Sequence, residues 1–136
     1  MPAKFLFLFL LVFAPANAQP EYNYAKVEIF YFDFSINVRV RMTPTDVRDR
    51  YLVKLVLRDS QRIAELLRSL PFEELRSLPK QVDADVRLVM DFYTEDGSSE
   101  TYYASLSHLF DETGRNGADM DPLFAQNFEI GFLVSD

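Results

Sequence analysis

In the stretch Phe30–Met42, F-Y-F-D-F-S-I-N-V-R-V-R-M, every even position is apolar: Phe30, Phe32, Phe34, Ile36, Val38, Val40 and Met42. From residue 33 onward the odd positions are polar: Asp33, Ser35, Asn37, Arg39 and Arg41. Side chains alternate along a strand, so this pattern predicts one apolar face and one wet face. A helix would scatter the same residues around its circumference. The stretch is read as the body of a long strand that begins near Lys26, with the core built on its even face. Seventeen residues, 26 to 42, is long for a strand, where about 5–6 is usual, so a bulge or bend near Ser35 is expected.

Working outward, Thr43-Pro44-Thr45-Asp46 reads as a turn that ends this strand, and Val47–Arg50 as a short charged link. Tyr51–Leu57 alternates again and predicts an antiparallel neighbour of the first strand. The period then changes. Ile63, Leu66, Leu67 and Leu70 lie at helical spacing behind an N-cap at Asp59 or Ser60, predicting the main helix at about 60–70. Pro71 stops it, and Phe72, Leu75 and Leu78 suggest a second short helix before Pro79. Val86–Thr94 and Ser99–Ala104 flank Asp96-Gly97, a strong hairpin signal. Ser105–Phe110 reads as a further short strand, and Asp111–Gly114 and Arg115–Gly117 as turns. Asp121-Pro122 opens a short helix to Asn127, and the alternation of Phe128, Ile130, Phe132 and Val134 predicts a last strand. The fold class expected is α+β: an antiparallel sheet built on the long N-terminal strand, with one main helix and short helices packed on one face.

Upstream, Lys4 precedes the apolar run Phe5–Phe13, and Ala16-Asn17-Ala18 has the small-x-small pattern of a signal peptidase site. Residues 1–18 are therefore read as a cleaved secretory signal and residues 19–136 as one domain. The chain holds no cysteine, which excludes thiol catalysis, disulfides and thiolate metal sites. A disulfide-free exported domain points to a bacterial envelope protein, periplasmic or secreted.

The net charge of −7 is unevenly placed. Residues 26–90 carry twelve Lys and Arg against ten Asp and Glu, whereas residues 91–136 carry ten acids against Arg115 alone. Nucleic acid is not an expected partner, because phosphate contacts need a basic footprint. A basic protein partner would be steered towards the acidic third. Exposed Tyr among acids resembles a protein-contact surface in composition. The candidate partner-binding residues are accordingly Tyr93, Asp96, Glu100, Tyr102, Asp111, Glu112 and Asp119.

Catalytic signals are weak. His108 is the only histidine, and the G-x-S-x-G, H-E-x-x-H and Gly-rich phosphate-loop patterns are absent. Asp83, Asp85 and Asp91 could face one way as paired carboxylates, the arrangement a glycosidase needs. The acids of 111–121 offer oxygen ligands suited to calcium but do not match the EF-hand pattern, so no metal, cofactor or catalytic residue is assigned. The expected function is protein interaction, with an inhibitor or immunity-type protein for a basic wall-acting partner as its specific form. A small-molecule or lipid-binding protein is the alternative, and a carboxylate-based hydrolase comes last.

Overall fold

The computed structural model describes residues 23–80, 82 and 84–134; the expected leader at 1–18 and Asp83 lie outside them. The chain runs β1 (Tyr24–Tyr31), α1 (Pro44–Arg50), β2 (Val53–Leu57) and α2 (Ser60–Ser69), then a 3-10 turn at Phe72–Glu74. There follow β3 (Arg76–Ser77), β4 (Leu88–Thr94), β5 (Ser99–Ala104), β6 (His108–Asp111), β7 (Asn116–Asp119) and α3 (Phe124–Phe128). A wider π-helical segment, Glu129–Val134, continues from α3. All seven strands form one antiparallel sheet in the order β2-β1-β4-β5-β6-β7-β3. The α+β class and the antiparallel sheet are as expected.

The long strand is not. β1 ends at Tyr31, and residues 32–43 leave the sheet as a loop. Asp33 starts the departure: its carboxylate accepts hydrogen bonds from the Ser35 backbone N–H and hydroxyl at 2.8 and 2.7 Å. Such an Asx turn offers the backbone an alternative to the ladder. The even-numbered apolar residues then divide. Phe32, Val38 and Met42 join a packed cluster, whereas Val40 is 77% exposed. In β1 itself the odd residues, Val27, Ile29 and Tyr31, face the main core.

Two cores result, one on each face of the sheet. The main core joins Val27, Ile29, Leu88, Met90, Phe92 and Leu109 to Ile63, Leu66 and Leu70 of α2, and to Phe124 and Phe128 of α3. Phe92 is fully buried, with the rings of Tyr24, Phe72 and Tyr102 centred 5.0–5.8 Å away. On the other face a smaller core gathers Val47 of α1 with Met42, Val86 and Val89 and the partly buried Phe30 and Tyr103. The helices therefore cover both faces rather than one.

Helix α2 is capped as the sequence indicates, with Asp59 accepting from the backbone N–H of Gln61 at 2.8 Å. Helix α1 replaces the expected turn. Thr43 caps it in a reciprocal box: the Asp46 N–H donates to Thr43 Oγ1 at 3.2 Å, and the Thr43 N–H to Asp46 Oδ2 at 2.9 Å. Pro44 then occupies the first turn, where its missing N–H costs nothing. The predicted strand at 128–134 is helical instead. Phe124, Phe128 and Phe132 recur every fourth residue and stack at 5.8 and 5.3 Å. Arg62 fixes this turn by donating to the Gly131 carbonyl at 2.8 Å and covering the Phe132 ring at 4.5 Å. The expected second helix at 72–78 shrinks to one 3-10 turn followed by β3, and Asn116–Asp119, read in part as a turn, forms β7.

Candidate functional site

An open groove of about 900 Å³ lies on the main-core side of the sheet. Part of its lining is the flank of α2, with buried Ile63, half-buried Ala64 and Leu67 and exposed Arg68, continued by Pro71–Glu74. Asp119–Pro122, between β7 and α3, and Tyr24 complete the lining. The local chemistry explains this shape. Pro71 breaks α2 and turns the chain across the sheet, so Phe72 seats its ring 4.8 Å from Tyr102. Met120 is held by its N–H on the Ser107 carbonyl at 2.8 Å, and Asp121 caps the next turn by accepting from the Leu123 N–H at 2.9 Å. Apolar side chains form the floor while Glu73, Glu74, Asp119 and Asp121 stand at the rim against Arg68.

The seven residues singled out from sequence do not make one patch. Asp119 lines the groove with its side chain 94% exposed. Glu100 adjoins it by accepting from the Tyr24 hydroxyl at 2.7 Å, and Tyr102 packs beneath Phe72. Tyr93 lies on the opposite face, its ring 4.4 Å under the Lys26 ammonium and its hydroxyl donating to Glu28 at 3.3 Å. Asp96 belongs to the hairpin tip, where Thr94 and Ser98 hydroxyls and the Ser98 N–H converge on its carboxylate. Those donors hold its pKa down at about 2. Asp111 is engaged by the Asn116 amide at 2.6 Å and the Thr113 hydroxyl at 2.8 Å, and these bonds outweigh burial to keep its pKa low. Glu112 is exposed on the same β6–β7 turn. Asp111 and Asp119 stand at opposite ends of the β6–β7 hairpin, and among the described residues no three Asp, Glu or His side chains converge as metal ligands would.

Other polar clusters are committed to structure. Asp91, 5% exposed on the second face, receives both Arg48 guanidinium nitrogens at 2.5 and 2.7 Å and the Thr101 hydroxyl at 2.6 Å. Burial alone would raise its pKa, but these donors and the Arg48 charge lower it. Asp85 is likewise held by Arg87 at 2.9 Å and by the Met42 N–H at 2.8 Å. Neither carboxyl is poised as a general acid, which needs a raised pKa.

Ser107, His108 and Asp119 form a connected series, Oγ to Nδ1 at 2.8 Å and Nε2 to Oδ1 at 3.3 Å. The order resembles a nucleophilic triad, but Ser and His are chain neighbours and the acid is almost fully exposed. The adjacent N–H groups of Ser107, His108 and Met120 already donate to Ser105 Oγ and the Ser107 carbonyl. No free pair of them is aimed at an oxyanion.

Among the described residues, no helix is long and apolar enough to cross a membrane. No protein-family model matches the chain, and no curated protein or solved structure matches it.

Proposed function

We propose that this chain is a small exported protein-interaction module that binds a basic partner through its acidic, Tyr-bearing side. The groove carries this reading: an apolar floor long enough to anchor a partner is bordered by four carboxylates and one guanidinium. Glu100, Tyr24 and Tyr102 extend the same side. Apolar centre and charged rim is the division found in protein interfaces, with the charges setting approach rate and the floor setting lifetime. Export rests on the Lys4, Phe5–Phe13 and Ala16-Asn17-Ala18 pattern, and the absence of cysteine favours a bacterial envelope setting. An inhibitor or immunity-type protein for a basic wall-acting enzyme fits that compartment and charge.

The test is association kinetics with a panel of basic wall-acting enzymes at varied salt. For a binding member, reversing Glu100 and Asp119 together is expected to slow association by roughly tenfold at low salt and little at high salt. Reversing Glu95 and Glu112, exposed residues that do not line the groove, is the control and should change the rate less. Equal effects from both pairs, or rates indifferent to salt, would reject the electrostatic reading. The groove volume also suits a second reading, a small-molecule or lipid-binding protein, since such pockets hold roughly 300–1,000 Å³. A co-purifying ligand in native mass spectra would favour that alternative.

A further inference from the structure

We infer that the groove reads an extended segment of its partner in which one apolar side chain is accompanied by lysine or arginine. This deepens the reading of a basic partner and rests on it. The charge layout specifies the cations: Glu73 and Glu74 on the 3-10 turn lie on the same side as Asp119 at the end of β7, Asp121 follows, and Arg68 is the one cation among the lining residues. A segment without cations would leave these four carboxylates unmatched. The floor specifies the centre. Leu67 and Phe72 are half-buried and remain accessible, so an apolar side chain placed on them removes water from both partners. The open side specifies an extended chain. Small-ligand pockets usually enclose 70–90% or more of their ligand, whereas this groove leaves one flank to solvent, where a polypeptide can enter and leave. The short Pro71–Glu74 turn leaves Glu73 and Glu74 exposed, so their side chains are available without rearranging the core.

The probe is a fluorescein-labelled peptide with a central phenylalanine between two lysine pairs, titrated with the full chain and followed by anisotropy. Two companion peptides replace the phenylalanine by serine or the lysines by glutamate. Saturable binding is expected for the first, at least tenfold weaker binding for the serine peptide, and none for the glutamate peptide. Glu73→Lys with Glu74→Lys is expected to weaken the first peptide at least tenfold, with an unchanged thermal transition showing that the fold is intact. Ala64→Glu, at a half-buried position of α2 that lines the groove, supplies a second variant and should weaken binding less, because it crowds the groove without removing its charge. Equal binding of the phenylalanine and serine peptides would overturn the apolar anchor while leaving a basic partner in place. Displacement of the peptide by dodecanoate, or saturable dodecanoate binding alone, would overturn the peptide assignment in favour of a lipid. A basic protein partner that binds in a salt-sensitive manner yet ignores the Glu73 and Glu74 reversals would place its contact elsewhere.

Discussion

At Asp91 a single carboxylate ties three elements together. It sits in the middle of β4, accepts both prongs of Arg48 from α1, and accepts Thr101 from the neighbouring β5. A buried charge is tolerable only when paired and hydrogen-bonded. Removing Arg48 would leave the Asp91 charge buried with Thr101 alone. Arg48→Met is expected to lower unfolding stability by about 2–3 kcal/mol, below the range for breaking a fully buried pair, because the Arg48 side remains partly open to water. Adding Asp91→Leu to that variant should recover much of the loss, since two apolar groups no longer leave a charge stranded. Urea midpoints of the wild type and the single and double variants make the comparison. A single variant as stable as the wild type would show that Asp91 is solvated by other means. The pairing itself was hidden in the sequence: Arg48 and Asp91 are 43 positions apart, and both belong to segments with several charges.

Helix α1 shows how one element can be misread from a correct chemical cue. Thr43-Pro44-Thr45-Asp46 does stop the preceding segment, but Thr43 and Asp46 also stand in capping-box order and Pro44 suits a first helical turn. The helix that follows is too short to declare itself by periodicity, and Val47 is its one buried residue. Its existence depends on the cap and on the second core. Thr43→Ala is therefore expected to cost about 1 kcal/mol by losing the bond to the Asp46 N–H, whereas Thr43→Ser should cost little. Thermal unfolding of the two variants checks this, and equal loss from both would point to the methyl group instead of the cap. Alternation alone misled at both ends of the chain. Phe30–Met42 alternates because β1 and the following loop both contribute apolar residues to cores, yet Asp33 and Ser35 turn the backbone away from the ladder. At 128–134, period two competed with the four-residue spacing of Phe124, Phe128 and Phe132, and burial of the first two against the main core decided for helix. Elements with independent boundary signals, α2 with Asp59 and Pro71 and the β4–β5 hairpin with Asp96-Gly97, were legible. Gly97 adopts φ +89°, the conformation its turn position demands. The groove was not legible, because its walls come from residues 60–74 and 119–122, brought together only by the order of the sheet. Of the candidate contact residues, acidity located Asp119 and Glu100 on its side, but sequence proximity grouped Tyr93 with Tyr102 although they occupy opposite faces.

Across the whole molecule, the acids divide into two populations, and this division makes acid stability predictable. Asp33, Asp46, Asp85, Asp91, Asp96 and Asp111 accept hydrogen bonds within the fold, and each has a pKa below the ordinary carboxylate value. For the exposed members, Asp33, Asp46 and Asp96, local donors are the leading cause; for Asp85, Asp91 and Asp111, burial pushes up and is outweighed by bonded partners. A group with a depressed folded pKa stabilises the fold fully above its unfolded value, roughly 3.9 for Asp, and loses that contribution as pH falls through the folded value. Unfolding stability should thus be nearly level from about pH 7 to 5, and should fall as the pH drops from about 4 towards 2, the region set by Asp96. Glu73 and Glu74, by contrast, are exposed at the groove rim, where the proposed function reserves them for a partner. Glu73→Gln with Glu74→Gln should therefore leave the acid limb of the stability profile in place, whereas Asp91→Asn should flatten part of it while lowering stability at neutral pH. Urea unfolding at intervals from pH 7 to 2.5 separates these outcomes. A profile that is flat to pH 2.5 would mean that the hydrogen-bonded aspartates are equally well served in the unfolded chain. Loss of the acid limb in the Glu73 and Glu74 variant would move the groove acids into the structural population and remove the reason to reserve them for a cationic partner.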